Sequence, residues 1–111
     1  MKYVVIFKAR IKHFDEHYAQ TAQLLREKAL TEFHCQHFEA LCENDQEIAL
    51  SYWNQLEDIQ AWHADAEHIA AQQLGKAQWY AHFSVEVCEV QRRYSSPSAK
   101  QYISKLSTGH E

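Results

Sequence analysis

Hydrophobic and polar residues follow two different periods along the first 94 positions of this chain. Four segments are rich in β-branched and aromatic residues and alternate with period two or are continuously apolar, which predicts β-strands. The segments between them repeat apolar residues every three or four positions, which predicts helices. The predicted strands cover residues 3–11, 33–41, 47–53 and 79–92, and the predicted helical regions cover 16–30 and 54–75.

Capping residues mark the ends of the helical regions. Asp15 is typical of an N-cap, and Phe14 just before it is placed as a hydrophobic staple. In the second region, Asn54 caps a short helix, Asp65 is predicted to interrupt it and cap a second segment, and Gly75 is predicted to end that segment.

The order of the predicted elements defines a fold class. A polar gap at residues 43–46 separates the second and third strands and predicts a hairpin connection. The order is therefore β-α-β-β-α-β, which is typical of an α+β, ferredoxin-like protomer with both helices on one face of an antiparallel sheet. The opposite face carries large apolar residues that a monomer rarely exposes, so we expect a second copy to cover it.

The length of the chain, 111 residues, predicts a single domain. We place this domain at residues 1–94 and a C-terminal tail, which could form a short helix, at 95–111. Apolar residues of the tail have helical spacing: Tyr102, Ile103 and Leu106.

Charge and cysteine content limit the partners and the compartment. The formal net charge of −4 gives no basic field for nucleic acid, and no apolar run approaches the ~20 residues of a membrane helix. Lys8 interrupts the apolar start too early for a signal peptide. Three cysteines without CxxC spacing favour reduced thiols, so we expect a cytoplasmic protein.

One block of aromatic and acidic residues is distinctive. It contains Ser-Tyr-Trp at 51–53, Glu-Asp at 57–58 followed by Ala-Trp at 61–62, Glu-His at 67–68, Gly75, and Trp-Tyr at 79–80. This pattern resembles the antibiotic biosynthesis monooxygenase (ABM) domain family, in particular its small stand-alone bacterial members. The resemblance implies a dimeric α+β barrel. Relatives include cofactor-independent monooxygenases that oxidise anthrones and quinols with dioxygen, haem-degrading proteins, and proteins without an assigned activity.

The chain also departs from the family pattern. His34 and His37 stand where glycines are usual, and Glu86 replaces a basic residue in the last strand. Haem-degrading relatives use an Asn in the first strand, which this chain lacks, and a His where Gln72 stands. The resemblance therefore favours a haem-related function less than an oxygenase.

The candidate site residues are a histidine and a set of aromatic residues. His68 is the candidate catalytic base, because a neutral imidazole accepts a phenolic proton near neutral pH. Candidates for binding a flat aromatic substrate are Trp62, Tyr80, Tyr52, Trp53 and Trp79. Core or interface packing is the stronger explanation of the aromatic residues, and His68 could instead cap or hydrogen-bond a nearby loop. Within Tyr52–Trp53 and Trp79–Tyr80, alternation predicts that neighbours point to opposite faces of the sheet.

The sequence does not predict a metal or another cofactor. His34 and His37 are three positions apart on a predicted strand, so they point to opposite faces and cannot bind one ion together. The predicted function is a cofactor-independent monooxygenase acting on an aromatic or quinol-type small molecule as a homodimer. The alternatives are a non-catalytic dimer of the same fold that binds a small ligand or is associated with stress, and, less favoured, haem binding.

Overall fold

The computed structural model describes residues 1–12, 15–74 and 79–96. Its elements follow the order β1 (Tyr3–Ile11), α1 (Glu16–Glu32), β2 (His37–Glu43), β3 (Gln46–Trp53), α2 (Leu56–Leu74) and β4 (Tyr80–Glu89). The four strands form one antiparallel sheet in the order β2-β3-β1-β4. The predicted β-α-β-β-α-β, ferredoxin-like fold is confirmed.

Alternation along the strands assigns each side chain to one face of the sheet. On the face that carries the helices, Val5 of β1 lies opposite Ser51 of β3 and Val87 of β4. The core on this face consists of Val5, Ala29, Cys35, Trp53 and Ile59. We call this side the helix face and the other side the outer face.

Helix α1 begins and ends at identifiable backbone features. The Asp15 carboxylate accepts a hydrogen bond from the Tyr18 backbone N–H at 2.8 Å, which confirms the predicted N-cap. The helix runs to Glu32, and His34 then adopts a left-handed conformation with φ 68°. The strand predicted from residue 33 therefore begins only at His37, because residues 33–36 close the helix. The predicted staple residue Phe14 lies outside the described residues.

The β2–β3 hairpin is tighter than predicted. Glu43 pairs directly with Gln46, so Asn44 and Asp45 alone form the connection. Asn44 has φ 57°, a conformation that asparagine tolerates better than most residues. The predicted hairpin is confirmed, and both strands extend further toward the turn.

Helix α2 is continuous, so the predicted break at Asp65 is wrong. Asp65 instead forms an ion pair with Lys28 of α1 at 3.1 Å. The Asp65 carboxylate therefore links α2 to α1 and does not cap the start of a new helix. Gly75, predicted to end this helix, lies outside the described residues, as do positions 97–111 of the predicted tail with its helical spacing. Among the described residues, no helix is long and apolar enough to cross a membrane.

Candidate functional site

Three aromatic rings form a contiguous surface on the helix face, at the side of the sheet formed by β1 and β4. The ring centroid of Phe7 lies 5.5 Å from that of Tyr80 and 6.1 Å from that of Phe83, and Tyr80 and Phe83 are 5.7 Å apart. Phe83 is 56% exposed. We call Phe7, Tyr80 and Phe83 the aromatic platform; Phe83 is exposed and the other two rings are half-buried, so part of this surface is accessible to a flat ligand.

The apolar surface continues from the platform along β4. Val85 lies opposite Phe7 and Val87 lies opposite Val5, and both valines are exposed. The helices leave this strip open because Ala29 of α1 and Ile59 of α2 pack instead with Val5 and Trp53. The helix face therefore presents an apolar strip of a kind that soluble proteins commonly use for binding.

Two hydroxyl groups and a carboxylate lie directly beside the platform. Tyr18 of α1 donates a hydrogen bond from its hydroxyl to Glu47 Oε1 on β3. The rings of Tyr18 and Tyr80 also meet edge to face, with centroids 5.8 Å apart, and the interaction of their hydroxyl groups affects both pKa values. Tyr18 has one hydroxyl proton and donates it to Glu47, so a proton path from Tyr80 to Glu47 requires Tyr80 to donate to the Tyr18 oxygen. We call Tyr80, Tyr18 and Glu47 the hydroxyl relay.

The environment keeps both tyrosines in their neutral form. Burial is the main cause that raises the pKa of Tyr18 above its ordinary value, and the hydrogen bond to Glu47 raises it further. Burial also raises the pKa of Tyr80, an effect that its hydrogen bond to Tyr18 partly opposes. At neutral pH each phenol thus carries a proton, and the relay joins the platform to a carboxylate through two O–H groups.

Trp53 and Trp62, both predicted to bind a substrate, lie under the helices rather than at the platform. Trp53 is fully buried, and its indole N–H donates to Ser51 Oγ at 2.9 Å. Trp62 is half-buried; it packs against Trp53 at 5.5 Å between ring centroids and donates its indole N–H to the Leu25 carbonyl at 3.1 Å. In this structure their contacts are those of core residues.

The other aromatic candidates separate into two groups. Tyr52 lies on the outer face, opposite Val4 and His37, while Trp53 lies on the helix face, so the predicted alternation of that pair is confirmed. The alternation predicted for Trp79 and Tyr80 is wrong, because both rings contact Tyr18, at 5.5 and 5.8 Å. Trp79 precedes the first residue of β4, so the two do not follow the period of a strand.

His68, the predicted base, is exposed on α2. Since α2 is continuous, the six positions between Trp62 and His68 place their side chains about 120° apart around the helix axis. The two side chains therefore do not share one wall of a pocket. The catalytic role of His68 stays a prediction.

The structure adds site residues that the sequence reasoning missed. Tyr18 lies on α1, and the role of its hydroxyl follows only from the position of β3. The sequence pattern could have indicated Glu47. It shares a strand face with Ala49, Ser51 and Trp53, and a carboxylate on such an apolar face needs a hydrogen-bond partner. Within the described part of the chain, no group of three or more His, Cys, Asp or Glu side chains could hold a metal ion.

Comparisons with solved structures find the same fold in other proteins. SnoaB, a cofactor-independent oxygenase from Streptomyces nogalater, superposes with a TM-score of 0.66 at 6% identity, covering 83% of this chain and 95% of SnoaB. A proposed antibiotic biosynthesis monooxygenase from Bacillus cereus superposes with a TM-score of 0.52 at 10% identity, covering 86% of this chain and 100% of that protein. The chain is thus an ABM-like domain in fold.

A sequence relative places the chain more narrowly. The uncharacterised protein YqjZ from Bacillus subtilis is 32% identical over 92 residues, which cover 82% of this chain and 81% of YqjZ. The chain belongs to the same family as YqjZ. No protein-family model matches the sequence.

Proposed function

We propose that this protein is a cofactor-independent monooxygenase that oxidises a flat, electron-rich aromatic molecule of the anthrone or quinol type with dioxygen. The observation that carries the proposal is the hydroxyl relay, which begins at a ring of the aromatic platform and ends at the Glu47 carboxylate. A platform supplies binding, and a relay supplies a route for the proton. These are two requirements of an oxygenase that uses the substrate itself as the reductant.

The proton leaves the substrate before dioxygen reacts. An enolic or phenolic hydroxyl placed over the platform donates to the Tyr80 oxygen, Tyr80 passes its proton to Tyr18, and Tyr18 passes its proton to Glu47. The high pKa values of the two phenols favour their return to the neutral form after each transfer. The substrate is left as an anion, which gives an electron to dioxygen more readily than the neutral ring does.

An anthrone-type substrate supplies all four electrons that reduce dioxygen. For a substrate with a CH₂ group in conjugation with the hydroxyl, one-electron transfer to dioxygen and recombination form a C–O bond and a peroxide anion. Glu47 returns its proton through the relay, and loss of water from the peroxide leaves a carbonyl group. The balance is R₂CH₂ + O₂ → R₂C=O + H₂O. A quinol that lacks such a CH₂ group gives two electrons and two protons to dioxygen, QH₂ + O₂ → Q + H₂O₂, which is an oxidase reaction because no oxygen atom enters the product.

His68, the base that the sequence predicts, competes with the relay for the role of proton acceptor. Two observations support the relay: Tyr80 is itself a platform residue, and Glu47 lies on the same face of the sheet. We therefore assign proton acceptance to Glu47, acting through Tyr18 and Tyr80, and substrate binding to Phe7 and Phe83 together with Tyr80.

A homodimer is part of the proposal. Leu41 of β2 and Ile48 of β3 are neighbours on the outer face, where they are 76% and 43% exposed. Ile6 and Leu50 pair beside them and extend the apolar surface. Packing two such faces together removes these residues from water and gives the predicted α+β barrel. The three cysteines are free thiols, which suits the predicted cytoplasmic location.

An oxygen electrode tests the proposed activity. The purified protein, treated with a chelator, is mixed with a panel of anthrones and quinols, and oxygen uptake is compared with the uncatalysed rate. The proposal requires uptake that is proportional to protein concentration for at least one member of the panel. Saturable binding of panel members without any uptake would overturn it in favour of the non-catalytic ligand-binding dimer. A Soret shift on titration with haemin, again without uptake, would overturn it in favour of haem binding.

A further inference from the structure

The outer face carries a second pocket, on the opposite side of the sheet from the platform. It has a volume of about 340 Å³ and is lined by Val4, Tyr52, Val90, Arg92, Arg93 and Tyr94. It lies at the end of the sheet where Val4 pairs with Tyr52, whereas Leu41 and Ile48 lie toward the hairpin end. The pocket is therefore distinct from the platform, and it adjoins the Ile6–Leu50 pair of the proposed dimer surface.

The chain segment after β4 builds one wall of this pocket. The Val90 backbone N–H donates to the Lys2 carbonyl at 2.8 Å, which keeps the segment beside β1. The Arg93 guanidinium then lies over the Tyr52 ring, 5.2 Å from its centroid. One of its nitrogens donates to the Met1 carbonyl at 3.5 Å, which leaves further N–H groups for a ligand.

Neither arginine of the pocket has an acidic partner among the described residues. The chain has 15 acidic and 11 basic residues, yet no carboxylate of a described residue forms an ion pair with Arg92 or Arg93. By contrast, Arg10, at the other end of the outer face, is paired with Asp45 at 2.9 Å. The positive charge of the pocket is thus available to an anion.

The remaining lining residues select the shape of that anion. Val4 and Val90 provide apolar surface, and the rings of Tyr52 and Tyr94 provide flat faces. A guanidinium group matches a carboxylate through two parallel N–H···O bonds, and aromatic rings favour a planar partner. We propose that this pocket binds a planar aromatic carboxylate, with its carboxylate at Arg92 and Arg93 and its ring against Val4, Val90 and Tyr94.

Isothermal titration calorimetry with 2-naphthoate tests the proposal. Saturable binding at one site per chain is expected, and 2-naphthylmethanol, which has the same ring system without the charge, is expected to bind at least about tenfold more weakly. Inorganic phosphate is expected not to compete at equal concentration. Absence of saturable binding, or equal competition by phosphate, would overturn the proposal.

Four variants separate this pocket from other sites. We expect Arg93→Gln and Arg92→Gln each to weaken 2-naphthoate binding about tenfold, the loss of roughly one charge-assisted hydrogen bond. Arg10→Gln on the same face and Phe83→Ala on the platform are expected to leave the affinity unchanged. An equal loss in Arg10→Gln would mean non-specific charge attraction, and a loss in Phe83→Ala would place the ligand on the platform. Either result would contradict the proposal. An Arg93→Gln protein with a changed dimer mass but an unchanged affinity for 2-naphthoate would contradict it as well.

Discussion

Tyr18 of α1 and Glu47 of β3, separated by 29 positions in sequence, are joined by a hydrogen bond from the phenol to the carboxylate. Through Tyr80, this bond connects the interior of the helix face to the exposed aromatic platform. The relationship links the packing of α1 to a chemical property of the site, because the position of the helix determines which group Glu47 faces.

Replacing Glu47 by glutamine tests the proton acceptor. Glutamine still accepts a hydrogen bond from Tyr18 but cannot take up a proton, so we expect oxygen uptake to fall by about 10²–10⁴-fold while substrate binding is kept. Glu39→Gln, on the outer face of β2, is the matched control and should leave uptake unchanged. Full activity in Glu47→Gln would remove the carboxylate from the mechanism.

His68→Ala distinguishes the two candidate bases in the same assay. Because His68 is exposed on α2 and does not share a pocket wall with Trp62, we expect uptake within about threefold of the unmodified protein. Equal circular dichroism spectra should first establish that both proteins are folded. A loss on the scale of general-base catalysis would return the role of the base to His68.

The relay also predicts how stability depends on pH. Since the folded state raises the pKa of Tyr18 above the ordinary tyrosine value of 10.0, its contribution is fully present below pH 10 and is lost as pH rises further. Urea denaturation between pH 8 and about pH 11 should show this loss, and Tyr18→Phe should reduce its slope. Burial also raises the pKa of Cys35, which titrates in the same direction in both proteins, so the difference between them reports the coupled pair Tyr18 and Tyr80. An unchanged slope in Tyr18→Phe would contradict the assignment.

A charge on the outer face should disrupt the proposed dimer. Light scattering at micromolar concentration is expected to give about twice the 13.1 kDa mass of one chain. Ile48→Lys places a charge within the apolar surface and should shift the protein toward the monomer. Leu24→Lys on α1, where the leucine is similarly exposed at 45%, is the matched control and should stay dimeric. A monomeric unmodified protein would exclude the barrel.

The buried Trp53 depends on a single polar partner. Ser51→Ala removes the acceptor of the indole N–H inside the core, so we expect a loss of about 1–3 kcal/mol in the free energy of unfolding. Thr31→Ala, which removes an exposed hydroxyl bonded to the Glu27 carbonyl, should cost less than about 0.5 kcal/mol. If chemical denaturation gives equal losses in the free energy of unfolding for the two variants, burial of the hydroxyl does not determine the size of the loss.

The fold was predictable from local pattern, because the alternation of Val5, Phe7 and Ala9 and the cap at Asp15 are properties of short segments. The break at Asp65 was predicted wrongly, since its partner Lys28 belongs to another helix. The same limit applies to the candidate site. Whether Trp62 lines a pocket or packs between helices depends on how α2 lies against α1. The hydrophobic periodicity of a single segment does not specify that arrangement.

Oxygen labelling tests the central claim most directly. The chelator-treated protein is supplied with ¹⁸O₂ and the anthrone that gives the fastest uptake, and the product is analysed by mass spectrometry. The account predicts that one dioxygen is consumed for each substrate molecule and that one ¹⁸O atom appears in the new carbonyl group, with the other in water. Uptake no faster than the uncatalysed rate for every anthrone and quinol tested, or a product carbonyl without ¹⁸O, would contradict it.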